Sequence, residues 1–192
     1  MATGPQGART DLVDKYERAL DGAKRLVGSL QPDDLKKPTP CEGWDVQALV
    51  THMVGTNRRF ATALKGEQAA AAAPAGDDVK AAYLASADEG LQAWRSPGAF
   101  DRTLTLPSGE VPAATGIGMI FVDQLIHTWD LAKALGRDEP LPDDLATTAL
   151  ELSRARVTLD RRGPGKPYGP EIQVASDRPT QDRLAGFLGR QP

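Results

Sequence analysis

Cysteine is all but absent from this chain: of 192 residues only Cys41 carries a thiol. That excludes an intramolecular disulfide framework and any multi-cysteine zinc or iron–sulfur site. Histidine is almost as scarce, at two. There is no surplus of positive charge, since 23 Lys and Arg stand against 26 Asp and Glu for a formal charge of −3. A general nucleic-acid binder is therefore disfavoured. Long apolar runs are missing as well. The uncharged stretch 111–122 ends at Asp123, short of the ~18 residues a bilayer span needs. The opening MATGPQGART offers no apolar segment to act as a secretory signal. These absences lead us to expect a cytoplasmic protein with neither membrane nor nucleic-acid partners. What remains is ordinary globular material, 40% hydrophobic and 26% charged, enough for one sizeable core. The chain reads as a single domain over 1–192, with a core of about 11–160 and a C-terminal tail of 161–192.

Helical periodicity dominates. Leu12, Val13, Tyr16, Leu20, Ala23, Val27 and Leu30 recur at steps of three and four, the stripe of an amphipathic helix. Residues 31–42 hold three prolines and read as a loop. Asp45 is placed to cap a second helix, whose buried stripe runs through Val46, Leu49, Val50, Met53, Phe60 and Leu64. The tract 68–76 is a low-complexity connector. A third helix fits 77–94, broken by Ser96-Pro97-Gly98. Leu104, Leu106 and Val111 flank Pro107-Ser108-Gly109, which we read as a loop in preference to a hairpin. The most apolar helix covers 113–135 and stops at Gly136. A fifth fits 143–159, residues 161–170 form a loop, and a short helix closes 180–188 with Thr180 as its N-cap. The fold expected is all-α, an up-down four-helix bundle with a short C-terminal helical extension.

The two histidines fall inside the two most strongly patterned interior helices. A helical histidine is most often a core or surface residue with a satisfied hydrogen bond. Here Asp123 precedes His127 by four residues, so both face the same way, on the apolar side of the most apolar helix. A carboxylate there needs a partner. His127 alone could supply it as a local ion pair. With the helix of His52 opposite, two imidazoles and a carboxylate would instead make a divalent-metal site. Arg59, seven residues after His52, could grip an anionic substrate, although a solvated arginine is the commoner case. Asp130 could hydrogen-bond the nitrogen of His127 that faces away from a metal, or simply be an exposed charge. Cys41 lacks a neighbouring histidine in sequence and reads as a small structural residue. Trp44 and Trp129 read as core rather than as stacking platforms for a substrate.

The stretch TPCEGWDVQALVTHM at 39–53, followed by DQLIHTWD at 123–130, resembles the paired signatures of the DinB/YfiT-like superfamily. The resemblance is nearest to the mycothiol-dependent maleylpyruvate isomerase N-terminal domain branch. It covers roughly 11–136, and 170–188 resembles a short C-terminal element of single-domain members. It implies a four-helix bundle holding a divalent metal, typically Zn2+, through His52, Asp123 and His127. Fe2+ or Ni2+ suit the same donors. Many relatives place Glu or His where this chain has Asp123. The full-length isomerase also carries a large second domain, which a chain of this length is too short to include. The implied function is transfer of mycothiol or a related low-molecular-weight thiol to a small electrophile, or its isomerisation, in a monomer or homodimer. The alternatives are hydrolysis by a metal-bound water, with Asp130 or Asp45 recruited as base, and a non-catalytic metal- or ligand-binding role.

Overall fold

The computed structural model describes residues 5–67, 78–107 and 109–192; the connector at 68–76 and Ser108 lie outside them. Among the described residues six α-helices are joined by loops, with one two-stranded hairpin. Four helices make the bundle: α1 (Pro5–Gly28), α2 (Val46–Leu64), α3 (Val79–Arg95) and α4 (Ala113–Ala134). α1 packs on α3 and α4, and so does α2, which leaves α1 and α2 across one diagonal and α3 and α4 across the other. The heptad-like stripes explain this arrangement. Tyr16, Leu20, Leu49, Met53, Tyr83, Trp94, Ile117 and Phe121 all lose their solvent contact in one shared core. Each such side chain contributes about 1.5–3 kcal/mol of burial. No helix among the described residues is long and apolar enough to cross a membrane.

Start signals are local. Asp45 sits in extended conformation and accepts a hydrogen bond from the Ala48 amide at 2.8 Å, as its residue type and place before the stripe suggest. Asp78 does the same for Ala81 at the head of α3. α4 ends where Gly136 turns left-handed at φ +66°.

Between α3 and α4 the chain departs from the expected loop. Thr103–Leu106 (β1) pairs antiparallel with Gly109–Pro112 (β2), Leu104 opposite Val111. Strand alternation buries Leu104 and Leu106 and leaves Thr103 and Thr105 exposed. Four residues per strand are too few for that period to stand out in sequence. What holds the hairpin is tertiary: Gly116 of α4 leaves space that the Leu104 side chain fills, and a Cβ there would come within 2.6 Å of Leu104 Cδ1.

α5 (Asp143–Arg156) lies on α4 and ends three residues sooner than the periodicity suggests. α6 (Thr180–Phe187) packs against α5. Its N-cap is Pro179, and Thr180 is already the first helical residue. The segment before it folds back so that the Ile172 amide donates to the Gly186 carbonyl at 2.9 Å. A Cβ on Gly186 would lie 2.7 Å from the Ile172 carbonyl oxygen and 2.4 Å from Val174 Cγ2. Backbone cannot yield as a side-chain tip can. Gly186→Ala should therefore destabilise the protein by about 1–3 kcal/mol despite its better helix propensity. Urea unfolding followed by circular dichroism measures this, and an unchanged midpoint would refute the close approach.

Candidate metal centre

A tight turn delivers the first part of the site. Gly43 adopts φ +76°, a conformation that favours glycine. Around it the Thr39 amide and hydroxyl both donate to the Trp44 carbonyl, at 3.1 and 2.9 Å, and the Val46 amide donates to Lys37. This turn presses Cys41 and Trp44 against α2 and α4. It explains why threonine, glycine and tryptophan occur together just ahead of the helix that carries His52.

The structure brings His52, Asp123 and His127 together, with one potential donor atom of each within 4.8 Å of the others. His52 Nε2 stands 3.2 Å from Asp123 Oδ1, and His127 Nε2 stands 3.6 Å from the same oxygen. The imidazole rings meet edge-on, centroids 4.8 Å apart. His127 is nearly buried, whereas His52 and Asp123 keep 30% and 25% of their side-chain surface and face a cavity. Burial would raise the Asp123 carboxyl, but the two imidazoles outweigh it and hold it below the usual range. Asp123 Oδ2 also accepts a long hydrogen bond from Gln124 Nε2, at 3.5 Å.

The other face of His127 fixes its tautomer. Its Nδ1 lies 2.9 Å from Asp130 Oδ2 and donates to that fully buried carboxylate. Nε2 then faces Asp123, 3.6 Å from Oδ1. Burial alone would push the Asp130 carboxyl up. The hydrogen bond from His127 and the charge of Arg190 overcome it and bring the carboxyl to about 2.

Arg190 is the residue the sequence reading missed. It reaches Asp130 from beyond α6, 60 positions away, and no local signal marked it. Cys41, read as a small structural residue with no histidine near it in sequence, lies beside one in space. Its thiol donates to Asp130 Oδ2 at 3.2 Å and lies 3.9 Å from His127 Nδ1. Burial first, and then the Asp130 charge, push that thiol to about 12, so it stays protonated. Trp44 is not core but half-buried, its ring 4.8 Å from that of His52. Trp129 is buried as expected.

Two clusters thus share His127. Cys41, His127 and Asp130 fall within ligand distance of one another, but Arg190 already holds both Asp130 oxygens. The other cluster presents a carboxylate and two imidazole nitrogens to open space. For Zn2+ with bonds near 2.0–2.1 Å, tetrahedral ligand atoms stand about 3.3 Å apart. The observed 3.2 and 3.6 Å match that spacing. The donor set fits a divalent ion with at least one open position.

The adjoining cavity has a volume of about 1020 Å³. Arg59 of α2, Arg156 at the end of α5, and Arg161 and Lys166 of the following loop line it, against Glu42 and Asp123. Arg59 is half-buried, and its Nε finds no partner among the described residues.

A bundle of four helices with an imidazole–carboxylate cluster between α2 and α4 is the DinB-like fold class. Residues 16–132 match the model of the mycothiol maleylpyruvate isomerase N-terminal domain, and the chain belongs to that family. It is 38% identical to Rv0738, an uncharacterized protein of Mycobacterium tuberculosis, over 94% of this chain and 98% of that one. A second uncharacterized protein of that organism, Rv0036c, is 32% identical over 81% of this chain and 70% of its own length. Among solved structures, a mycothiol-dependent maleylpyruvate isomerase superposes with a TM-score of 0.66 at 18% identity, covering 88% of this chain and 77% of the other. A mutant of a mycothiol-dependent maleylpyruvate isomerase gives 0.65 at 16% identity over the same shares.

Proposed function

We propose that this protein holds a divalent cation, Zn2+ in the first instance, through His52, Asp123 and His127, and uses it to join a mycothiol-type thiol to a small electrophile. The observation that carries this reading is the convergence of two imidazole nitrogens and one carboxylate oxygen at the wall of a large cavity. Family membership supports the choice of thiol and the relation to isomerases. A cation so held stabilises a thiolate over a thiol near neutral pH.

The protein's own groups do the rest. Asp130 keeps the Nδ1 proton of His127 in place and so leaves Nε2 free to ligate. Trp44 walls the site beside His52, its ring centroid 4.8 Å from the imidazole. Arg59, Arg156 and Arg161 form no ion pair among the described residues and offer charge to an anionic electrophile. Addition of the thiol to an activated double bond followed by its departure gives isomerisation; retention of the sulfur gives transfer.

The test uses untagged protein, a chloro-dinitro-aromatic electrophile and a low-molecular-weight thiol. Turnover is expected only when metal and thiol are both present, and a chelator should reduce it to the solution rate. Metal-dependent ester cleavage without thiol would replace this reading with hydrolysis. Metal binding with neither activity would leave a binding protein.

A further inference from the structure

Asp130 is fully buried, and His127 engages only one of its two carboxylate oxygens. The remaining partner comes from the C-terminal segment. Arg190 donates through Nε to Asp130 Oδ1 at 3.2 Å and through Nη2 to Oδ2 at 3.0 Å, a fork that fixes the plane of the carboxylate. Nη2 also reaches Cys41 Sγ at 3.6 Å, and Nη1 donates to the Leu188 carbonyl at 3.0 Å. Only 12% of the Arg190 side chain meets solvent. Its backbone is held in turn, the amide donating to the Ala185 carbonyl at 2.9 Å. Nearby, Gly189 at φ +86° lies so close to Gly169 that a Cβ would come within 3.0 Å of Gly169 Cα.

From this geometry we propose that Arg190 is a positioning residue for the metal centre. Docking of the C-terminal segment orients Asp130, Asp130 orients His127, and cation affinity is coupled to that docking. The inference rests on the cation reading of His52, Asp123 and His127. Without the fork, Asp130 would be a buried charge with a single ring partner, free to turn its oxygens away from Nδ1. The imidazole would lose the hydrogen bond that sets its tautomer and its ring plane. Coupling of this kind is reciprocal, so cation binding must also favour the docked segment. Arg190 lies outside the family-matched residues 16–132, so this support is built by a part of the chain separate from the proposed ligands.

A double-mutant cycle tests it. Zn2+ affinity is measured by competition with a chromophoric chelator, and ligand geometry by the visible spectrum of the Co2+-loaded protein. R190M is expected to weaken Zn2+ binding about 10- to 100-fold and to alter the Co2+ spectrum. R190K, which keeps the charge but not the fork, should fall between, and it carries the comparison if R190M melts at the assay temperature. The double variant R190M/D130N should bind no more weakly than D130N alone. Limited proteolysis of the wild type should cut the C-terminal segment more slowly with Zn2+ than without. If the wild type binds Zn2+ and R190M binds it equally well, the positioning role is overturned while the cation reading stands. Equal losses from R190M with and without D130N would reduce Arg190 to a general clamp. Failure of the wild type to bind any divalent ion would remove both.

Discussion

His52→Ala is expected to empty the metal centre. In untagged protein, divalent metal should fall from about one equivalent per chain to below about a tenth, because two remaining donors cannot hold an ion that three hold. Elemental analysis reads this directly. The variant should nevertheless fold. The His52 side chain is partly exposed at the cavity, while its neighbours Val50, Met53 and Val54 carry the buried face of α2. Stability then separates loss of metal from loss of fold. A ligand bound at a thousand times its dissociation constant adds about 4 kcal/mol. A chelator should accordingly lower the melting temperature of the wild type by several degrees and leave that of the variant unchanged. In chelator the two proteins should melt nearly together. Equal metal content in both would place the ion elsewhere and end the case for this cluster.

Much of this centre could be read from the chain because it is written in local spacing. Asp123 and His127 are one turn apart, and so lie on one helix face before any tertiary structure is considered. The apolar stripe around His52 told which face of α2 turns inward. The Asp45 cap and the stop at Gly136 are equally local, decided within a few residues. Other parts depend on contacts that no window contains. The β1–β2 hairpin owes its place to the gap at Gly116, ten or so residues further on and in another element. Cys41 has no histidine near it in sequence, yet the turn at Gly43 sets it beside His127. Arg190 is the extreme case: its partner Asp130 is 60 positions away, and a lone arginine after a short helix resembles any solvated cation. Periodicity reports which side of an element is buried. It does not report which polar group will meet a buried charge across the core.

Arg59→Met is expected to raise the KM for an anionic electrophile while leaving kcat almost unchanged. Arg59 follows His52 by two helical turns on the same face, which places its backbone about 10 Å along the axis from the donor cluster. A substrate reacting at the centre can therefore extend a carboxylate to this guanidinium without bringing the charge to the reacting atoms. The Nε of Arg59 is buried without a hydrogen-bond partner among the described residues, so its desolvation cost is already incurred before any ligand arrives. A hydrogen bond to a charged group contributes about 1.5–3 kcal/mol, equivalent to about 10- to 150-fold in binding. The gain should appear as uniform binding of ground and transition states, hence in KM. Chloronitrobenzoate and chloro-dinitrobenzene form the informative pair, one carrying a carboxylate and the other none. Methionine keeps an unbranched apolar stem without the charge, so the neutral electrophile should react at the wild-type rate. If both electrophiles lose activity equally, Arg59 shapes the cavity rather than reading charge. Recognition of an anion would then fall to Arg156 and Arg161 across the cavity.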